Sequence, residues 1–364
     1  MNLLDLFSGI GGFHLGLEKA GFKFDKVFNS DIDKYANAVY KYNFKESVNV
    51  GSVTDVRGSD FPKINAITFG SPCQDFSIAG SRSGLEGDRS SLVSEAIRLI
   101  NECRPDFFIW ENVKGTFSSN NGEDFWAIIK AFTNIGGYRL EWQLLNTRWF
   151  LPQNRERIYL VGCLGEKSKS EVFPIGENGK IYNNGSTRAK SKTKICGAIT
   201  TGEGSRRESN YVKIREATKK GYSVAEVGDS INYSVPDSKT RRGRVGKKTA
   251  QTLDTACNQA VIESGTLRTH NDGKGFRKIK NGDAPAIPAR ARNDGSGQPI
   301  IKDKAKIRRL TPIECERLQG FPDDWTKIGV DGLISDTQRY KMCGNAVTVD
   351  VVEKVGENLL KCLK

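Results

Sequence analysis

Short apolar runs alternate with segments of helical periodicity over roughly the first 160 residues of the chain. Residues 3–7 form a run typical of a buried strand, and a glycine-rich turn follows over 8–12. Apolar positions then recur at helical spacing up to Ala20. Further apolar runs and helical segments follow this first strand, turn and helix. The pattern predicts an α/β domain around an open sheet.

Three of the predicted strands lead to a residue with reactive or charged chemistry. The second strand ends in Asp31, the fourth leads into Cys73, and the next carries Glu111. Open α/β sheets bind ligands outside the carboxyl ends of their strands, so these side chains are expected to share one functional edge. Simpler roles stay open, because a free cysteine is usually a small buried hydrophobe and a carboxylate can cap a following helix.

Two arginines lie between the last two strands predicted in this region. These strands cover residues 138–145 and 157–161, and Arg155 and Arg157 precede or begin the second of them. Alternate positions of an extended segment point to one side, so both guanidinium groups can share a face. A charged entry to a strand is the simpler interpretation.

The composition changes near residue 165, where long apolar runs give way to Gly, Ser, Asn, Lys and Arg. A core-like pattern returns in the tail, with a helix capped by Thr311 and an apolar closing helix. We therefore expect three parts. They are a main α/β domain over 1–164, a smaller irregular β-rich domain over 165–306, and a C-terminal segment over 307–364 that packs back onto the first.

The positive charge of the chain is concentrated in one region. The 364 residues carry a formal net charge of +13. Residues 166–309 contain 31 Lys and Arg against 15 Asp and Glu, a surplus of 16, whereas the remainder has 25 against 28. Basic surfaces bind polyanions through counterion release, so nucleic acid is the expected partner. A solvated basic face is the alternative.

Other features of the sequence argue against several protein classes. No apolar stretch approaches membrane-spanning length, and the start lacks a signal-peptide pattern, so we expect a soluble cytoplasmic protein without membrane contact. Eight scattered cysteines without a close Cys-x-x-Cys pair, and only two histidines, make a disulfide scaffold or a zinc site unexpected.

Six segments, in order along the chain, resemble the motifs of the cytosine-C5 DNA methyltransferases. They are residues 5–12 (DLFSGIGG), 70–74 (GSPCQ), 111–113 (ENV), 153–157 (QNRER), 308–322 (RRLTPIECERLQGFP) and 344–347 (GNAV). The resemblance implies a Rossmann-like methyltransferase domain with a mixed, mostly parallel sheet. It also implies a target-recognition domain in the basic region and S-adenosylmethionine as the cofactor.

The resemblance assigns a set of residues to the cofactor pocket. Those of the glycine turn would wrap the cofactor, Asp31 would bind its ribose hydroxyls, and others would flank adenine or close the site. In chain order the set is Phe7, Gly9, Ile10, Gly12, Asp31, Ile32, Ser52, Val53, Pro72, Leu92, Asn345 and Val347. One position departs from the pattern, because Ser52 stands where many members have an acid near the adenine amino group. Asp55, the serine hydroxyl or water could bind that group instead.

The implied chemistry begins with Cys73, which would add as a thiolate to C6 of the target cytosine because C5 alone is a poor nucleophile. Glu111 would bond N3 and the exocyclic amine, and Arg157 would hold O2 as negative charge develops. Arg155 and Arg157 are candidate cations that favour the thiolate. Because C6 lies inside the duplex, the base must first be flipped out.

Contacts to DNA are expected from the loop beyond Cys73 and from the basic clusters. The candidates are Gln74, Ser77, Arg241, Arg242, Arg244, Arg290 and Arg292. The resulting hypothesis is a monomeric enzyme that methylates C5 of a specific cytosine in double-stranded DNA, with a cognate restriction endonuclease as a further candidate partner. A tRNA cytosine-C5 methyltransferase and an inactive DNA-binding module are the alternatives.

Overall fold

A computed structural model describes residues 1–71, 92–165, 171–176, 211–226, 228–235, 238, 240–263, 265–267, 276–278 and 306–363. The chain divides into two compact units. The first comprises Met1–Tyr182, Thr252–Cys257 and Thr311–Lys364, and the second comprises Asn183–Gln251 and Asn258–Leu310. The assignment of a target-recognition role to residues 165–306 stays a prediction.

The first unit contains the long strands and the helices of the described chain. Its strands are β1 (Asn2–Leu6), β2 (Lys26–Ser30), β3 (Val48–Asn49), β4 (Ala66–Gly70), β5 (Phe107–Val113), β6 (Tyr138–Asn146), β7 (Gln153–Asn154) and β8 (Glu156–Leu164). Its helices are α1 (Gly12–Lys19), α2 (Lys34–Asn43), α3 (Leu92–Cys103), α4 (Glu123–Asn134), α5 (Pro312–Leu318), α6 (Asp336–Asn345) and α7 (Val349–Cys362).

A seven-stranded sheet with the order β3-β2-β1-β4-β5-β8-β6 forms the centre of the first unit. The pairs from β3 through β5 are parallel, whereas β8 pairs antiparallel with both β5 and β6. The predicted mixed, mostly parallel α/β fold is therefore confirmed. Its parallel strands read as continuous apolar runs because both faces of the sheet are covered.

The two faces of the sheet are covered by different helices. On β1, Leu3 points into a core shared with α1 and α7, while Leu4 and Leu6 point into a second core shared with α3 and α4. Close packing between α1 and α7 depends on glycine, since a Cβ at Gly16 would lie 2.7 Å from the Val352 side chain. The C-terminal helix thus belongs to the core of the first unit.

The second unit is built from short strands. Its described strands are β9 (Tyr211–Arg215), β10 (Tyr222–Glu226), β11 (Ser230–Asn232), β12 (Val245–Gly246), β13 (Ala250–Gln251), β14 (Gln259–Glu263), β15 (Gly265–Leu267), β16 (Phe276–Lys278) and β17 (Lys306–Arg309). An antiparallel sheet runs in the order β12-β11-β14-β17, and β9 and β10 form a hairpin. The buried side chains of Ile214, Ala225, Ile231 and Ile262 form its small core.

A short hairpin of β18 (Ile328–Gly329) and β19 (Gly332–Leu333) precedes α6 in the first unit. Among the described residues, no helix has the length and apolar character needed to cross a membrane.

Candidate active site

The glycine-rich turn after β1 is held against the end of β2. Phe7 adopts a left-handed φ of 50°, which is uncommon for a bulky residue, and Gly9 also has a φ of 50°. The backbone N–H of Gly9 donates to Asp31 Oδ2 at 2.8 Å, and that of Asp33 donates to Asp31 Oδ1 at 2.8 Å. A side chain at Gly9 would point into open space. The turn is therefore held by hydrogen bonds to Asp31 and leaves room beside its backbone.

Asp31 is a half-buried carboxylate, and the residue that follows it is an exposed apolar side chain. Burial raises the pKa of Asp31 above its ordinary value, an effect that its backbone hydrogen bonds partly offset. Ile32, the next residue, exposes 85% of its surface. An aliphatic side chain left exposed beside a carboxylate can contact a flat apolar ring whose attached sugar bonds the acid.

The C-terminal segment lies directly against the glycine-rich turn. A Cβ at Gly12 would lie 2.7 Å from Val347 Cγ2, so the absence of a side chain allows the two segments to meet. The buried Ile10 carbonyl accepts a hydrogen bond from Trp325 Nε1 at 3.0 Å. Asn345, the last residue of α6, is exposed. Residues from the start and the end of the sequence thus pack together beside the glycine-rich turn.

Ser52 and Val53 begin a turn that follows β3. Val53 is buried in the core, whereas the Ser52 hydroxyl lies 2.8 Å from the Thr54 hydroxyl. The Thr54 hydroxyl in turn donates to Asp55 Oδ1 at 2.9 Å. Leu92, at the start of α3, is half-buried and packs against the same core as Val53. The predicted pocket residues Ser52 and Val53 therefore lie in the same turn as Thr54 and Asp55.

Glu111 and Arg157, both predicted from the sequence, lie in contact. The Glu111 Oε1 and Arg157 Nε atoms are 3.1 Å apart, and their side chains are only 9% and 16% exposed. Their strands β5 and β8 are neighbours, so the antiparallel register brings together residues 46 positions apart in the chain. The arrangement forms a largely dehydrated carboxylate and guanidinium pair near the carboxyl end of β5.

The strand that leads toward Cys73 ends beside this pair. Gly70 pairs with Glu111 across β4 and β5, and a Cβ at Gly70 would lie 3.2 Å from Glu111 Oε2. Ser71 is fixed by two neighbours, because its Oγ accepts from Trp110 Nε1 at 3.1 Å and from Asn112 Nδ2 at 3.0 Å. Sequence reasoning assigned Asn112 no role, although it lies within the third quoted motif. The structure thereby fixes the chain two residues before the predicted nucleophile.

Arg155 has a different environment from Arg157. Its side chain is 3% exposed, and its guanidinium donates to the carbonyl oxygens of Gly344 at 3.3 Å and Ala346 at 2.9 Å. These carbonyls flank Asn345. A second hydrogen bond to this segment joins the Thr147 and Thr348 hydroxyls, which are 2.9 Å apart. Arg155 therefore contacts the C-terminal segment, a partner that spacing along the chain could not indicate.

The basic candidates of the second unit differ in exposure. Arg242 is exposed, and its Nε donates to the Ala217 carbonyl. Arg241 is half-buried, and Arg244 is 3% exposed with a guanidinium that donates to the Val235 carbonyl. Six predicted residues lie outside the described chain, namely Pro72, Cys73, Gln74, Ser77, Arg290 and Arg292.

Comparison with known proteins agrees with the fold and the order of the motifs. The family model for C-5 cytosine-specific DNA methylases matches residues 1–361. The orphan methyltransferase M.SPRI of Bacillus phage SPR is 30% identical over a 432-residue alignment that covers 99% of this chain and 97% of that protein. The type II methyltransferase M.Bsp6I of Bacillus sp. (strain RFL6) is 29% identical, with 100% and 99% covered.

Solved structures show the same fold at lower identity. The Entamoeba histolytica methyltransferase EhMeth superposes with a TM-score of 0.58 at 19% identity, covering 100% of this chain and 99% of that one. The S. pombe Dnmt2 methyltransferase gives a TM-score of 0.58 at 21% identity, covering 99% and 98%. Since the family model spans nearly the whole sequence, this chain belongs to the C-5 cytosine-specific DNA methylases and is a DNA (cytosine-5-)-methyltransferase.

Proposed function

We propose that the protein transfers a methyl group from S-adenosylmethionine to C5 of a specific cytosine in double-stranded DNA, after flipping that base out of the duplex. The observation that carries the proposal is the contact between Glu111 and Arg157, 3.1 Å apart, beside the end of the strand that leads to Cys73. A nucleophile, a carboxyl group and a guanidinium would then surround one base.

The residues around the glycine turn fit an adenosine-containing cofactor. Gly9 leaves open space beside the backbone, Asp31 presents a carboxylate for ribose hydroxyls, and Ile32 offers an exposed apolar surface for a base. Val347 would close the pocket against Gly12. When bound, S-adenosylmethionine would supply an electrophilic methyl group on a sulfonium centre.

The chain's own residues would activate the cytosine. Bond formation between the Cys73 thiolate and C6 moves electron density to C5, which can then accept the methyl group. Loss of the C5 proton to solvent and cleavage of the S–C6 bond, with its electron pair returning to sulfur, would release the product and restore the thiolate. Glu111 would share a proton with N3, and Arg157 would stabilise negative charge at O2 as it develops.

Arg155 would act on this site from a distance. Its two hydrogen bonds to the carbonyls that flank Asn345 hold the segment assigned to the cofactor pocket. We therefore assign it a positioning role, while the cation that contacts the base is Arg157. This refines the interpretation in which both arginines favour the thiolate.

The basic second unit would bind DNA and select the site. Residues 166–309 carry the surplus of 16 positive charges, and Arg242 is an exposed arginine among them. The buried Arg244 would support the unit from inside. We infer that the protein acts as a monomer in the cytoplasm of a bacterial or phage-infected cell. A cognate restriction endonuclease, if one exists, would recognise the same DNA site.

Labelled methyl transfer tests the proposal directly. The wild-type protein is incubated with methyl-labelled S-adenosylmethionine and with equal amounts of duplex DNA and tRNA, and bisulfite sequencing then maps the modified cytosine. We expect label in DNA at C5 of one cytosine in a fixed sequence, and none after Cys73→Ala. Preferred labelling of tRNA, or DNA binding without transfer, would refute the proposal in favour of one of the two alternatives.

The covalent step has its own test. Fluorine at C5 of the target cytosine cannot leave as a proton does, so the adduct with the thiolate should accumulate. We expect a protein–DNA complex that survives denaturing electrophoresis with the wild type and is absent with Cys73→Ala. Methyl transfer without any such complex would contradict addition at C6.

A further inference from the structure

The turn after β3 carries a continuous chain of hydrogen bonds between three polar side chains. The Ser52 and Thr54 hydroxyl oxygens are 2.8 Å apart, and the Thr54 hydroxyl lies 2.9 Å from Asp55 Oδ1. The backbone N–H of Thr54 also donates to Ser52 Oγ at 3.3 Å, and the backbone N–H of Asp55 closes the turn on the Ser52 carbonyl at 3.1 Å.

The direction of the chain follows from the number of protons available. A carboxylate only accepts, and a hydroxyl has one proton to donate. The Thr54 hydroxyl donates its one proton to Asp55. The hydrogen bond between the Ser52 and Thr54 hydroxyls therefore requires Ser52 to be the donor. The Ser52 proton is then directed into the turn. One lone pair of Ser52 Oγ receives the Thr54 N–H, and the other is left to accept from a ligand.

This turn is fixed to the edge of the sheet that carries Asp31 and the exposed Ile32. The Ser30 hydroxyl donates to the Gly51 carbonyl at 2.7 Å, and the Val50 N–H donates to the Asn29 carbonyl at 2.9 Å. These bonds hold the start of the turn to the last residues of β2, directly before Asp31. The backbone directly before Ser52 is therefore fixed to this edge.

The far side of the turn is held equally firmly. The Arg98 guanidinium donates to the carbonyls of Val53 at 3.3 Å and Val56 at 2.9 Å. Arg98 is itself oriented by Glu95 at 2.7 Å and Glu102 at 2.9 Å. Both ends of the turn that carries Ser52, Thr54 and Asp55 are therefore hydrogen-bonded to the rest of the first unit.

We propose that Ser52 reads the 6-amino group of the cofactor's adenine as a hydrogen-bond acceptor, and that Thr54 and Asp55 impose this polarity on it. The inference rests on the proposed use of S-adenosylmethionine. An isolated serine could rotate its hydroxyl and donate to a 6-oxo group equally well. With its proton directed at Thr54, Ser52 faces a 6-oxo purine with lone pair against lone pair. Thr54, which touches no ligand, thereby becomes the positioning residue for base selectivity.

Binding of two product analogues tests this polarity without turnover. S-adenosylhomocysteine has the 6-amino donor, and S-inosylhomocysteine replaces it with a 6-oxo acceptor. In isothermal titration calorimetry of the full-length protein, the adenosyl compound should bind roughly tenfold more tightly than the inosyl compound. A tenfold difference in dissociation constant corresponds to one modest hydrogen bond. Equal dissociation constants for the two compounds would overturn the inference.

Thr54→Val is the decisive variant because it keeps the branched shape and removes the hydroxyl that receives the Ser52 proton. We expect the ratio of dissociation constants to fall toward one, with the inosyl compound gaining affinity because Ser52 can now donate to it. Ser52→Ala should also lower the ratio, but by weakening the binding of the adenosyl compound. A wild-type ratio in Thr54→Val would overturn the role of Thr54.

A matched control is available on α4, where Thr133 is exposed and its hydroxyl donates to the Ile129 carbonyl. Thr133→Val should keep the wild-type ratio, and circular dichroism should show all variants folded. If the wild type binds neither compound, the cofactor assignment fails and the inference with it. If it binds both with equal affinity, only the inference fails.

Discussion

Asp5 is expected to make the stability of the protein depend on pH, and Asp5→Asn should remove that dependence. The Asp5 side chain lies on β1 with no exposed surface. Its Oδ1 accepts from the Thr68 hydroxyl at 2.8 Å, and its Oδ2 lies 3.4 Å from the Tyr40 hydroxyl. Burial raises the pKa of Asp5 from 3.8 to about 8, and these hydrogen bonds offset only part of that effect. In the folded protein the group is therefore mostly protonated at pH 7.

The size of the effect follows from the shift in pKa. A difference of about four units between the unfolded and folded states, at 1.36 kcal/mol per unit, corresponds to an upper bound of roughly 6 kcal/mol. Because the folded pKa is the higher one, this contribution is fully present below about pH 4. It is lost as the pH rises through about 8. Between pH 5.5 and 8 the free energy of unfolding should fall by about 3 kcal/mol on this account.

Asparagine keeps the shape of Asp5 and can bond the same two neighbours, but it cannot ionise. Its carbonyl can accept from Thr68, and its amide can donate to Tyr40, whose hydroxyl lies 3.1 Å from His14 Nδ1. The other titratable groups near this position, Asp31, His14 and Glu18, are present in both proteins. The difference between variant and wild type therefore isolates Asp5.

Urea unfolding from pH 5.5 to pH 9, followed by circular dichroism, measures this difference. We expect the stability of Asp5→Asn relative to the wild type to rise by about 3 kcal/mol between pH 5.5 and 8 and then to level off. Asp331→Asn, at an exposed position, should keep the wild-type profile. Parallel profiles for the wild type and Asp5→Asn would refute the reasoning.

Three further predictions concern the site. Glu111→Gln should lower methyl transfer by roughly 10²- to 10⁴-fold while DNA binding in a filter assay is retained, because only the shared proton is lost. Arg155→Lys should raise the dissociation constant of S-adenosylhomocysteine roughly tenfold in calorimetry. An ammonium group cannot reproduce the planar guanidinium that bonds two carbonyls. Iodoacetamide at pH 8 should modify Cys73 well before Cys103 and Cys343, because burial raises the pKa of Cys103 to about 11 and that of Cys343 further.

Each of these has an outcome that contradicts it. Methyl transfer by Glu111→Gln at the wild-type rate would exclude a proton-sharing role. If Arg155→Lys lowers kcat and leaves cofactor affinity unchanged, Arg155 acts on the target base and does not position the pocket. Mass spectrometry that finds Cys343 modified as fast as Cys73 in the folded protein would contradict its burial.

The sequence by itself determined the strands of the main sheet and the chemistry at their ends. Strands covered on both faces require continuous apolar runs, so the pattern around Leu3 and the strand before Glu111 was sufficient to predict them. Parallel strands align their carboxyl ends, which explains why Asp31 and Glu111 could be assigned to one edge. The order of the six motifs then identified the family, because short motifs in a fixed order rarely arise by chance.

Only the tertiary structure decided what each polar side chain contacts. Arg155 and Gly344 are separated by 189 positions, so the bond that makes Arg155 a positioning residue leaves no periodic trace in the sequence. The burial of Arg244 is likewise invisible in a run of basic residues. The same limit applies to Ser52, because a hydroxyl can donate or accept. In the turn, Thr54 donates to Asp55 and therefore receives the Ser52 proton, so Ser52 is left to accept from a ligand.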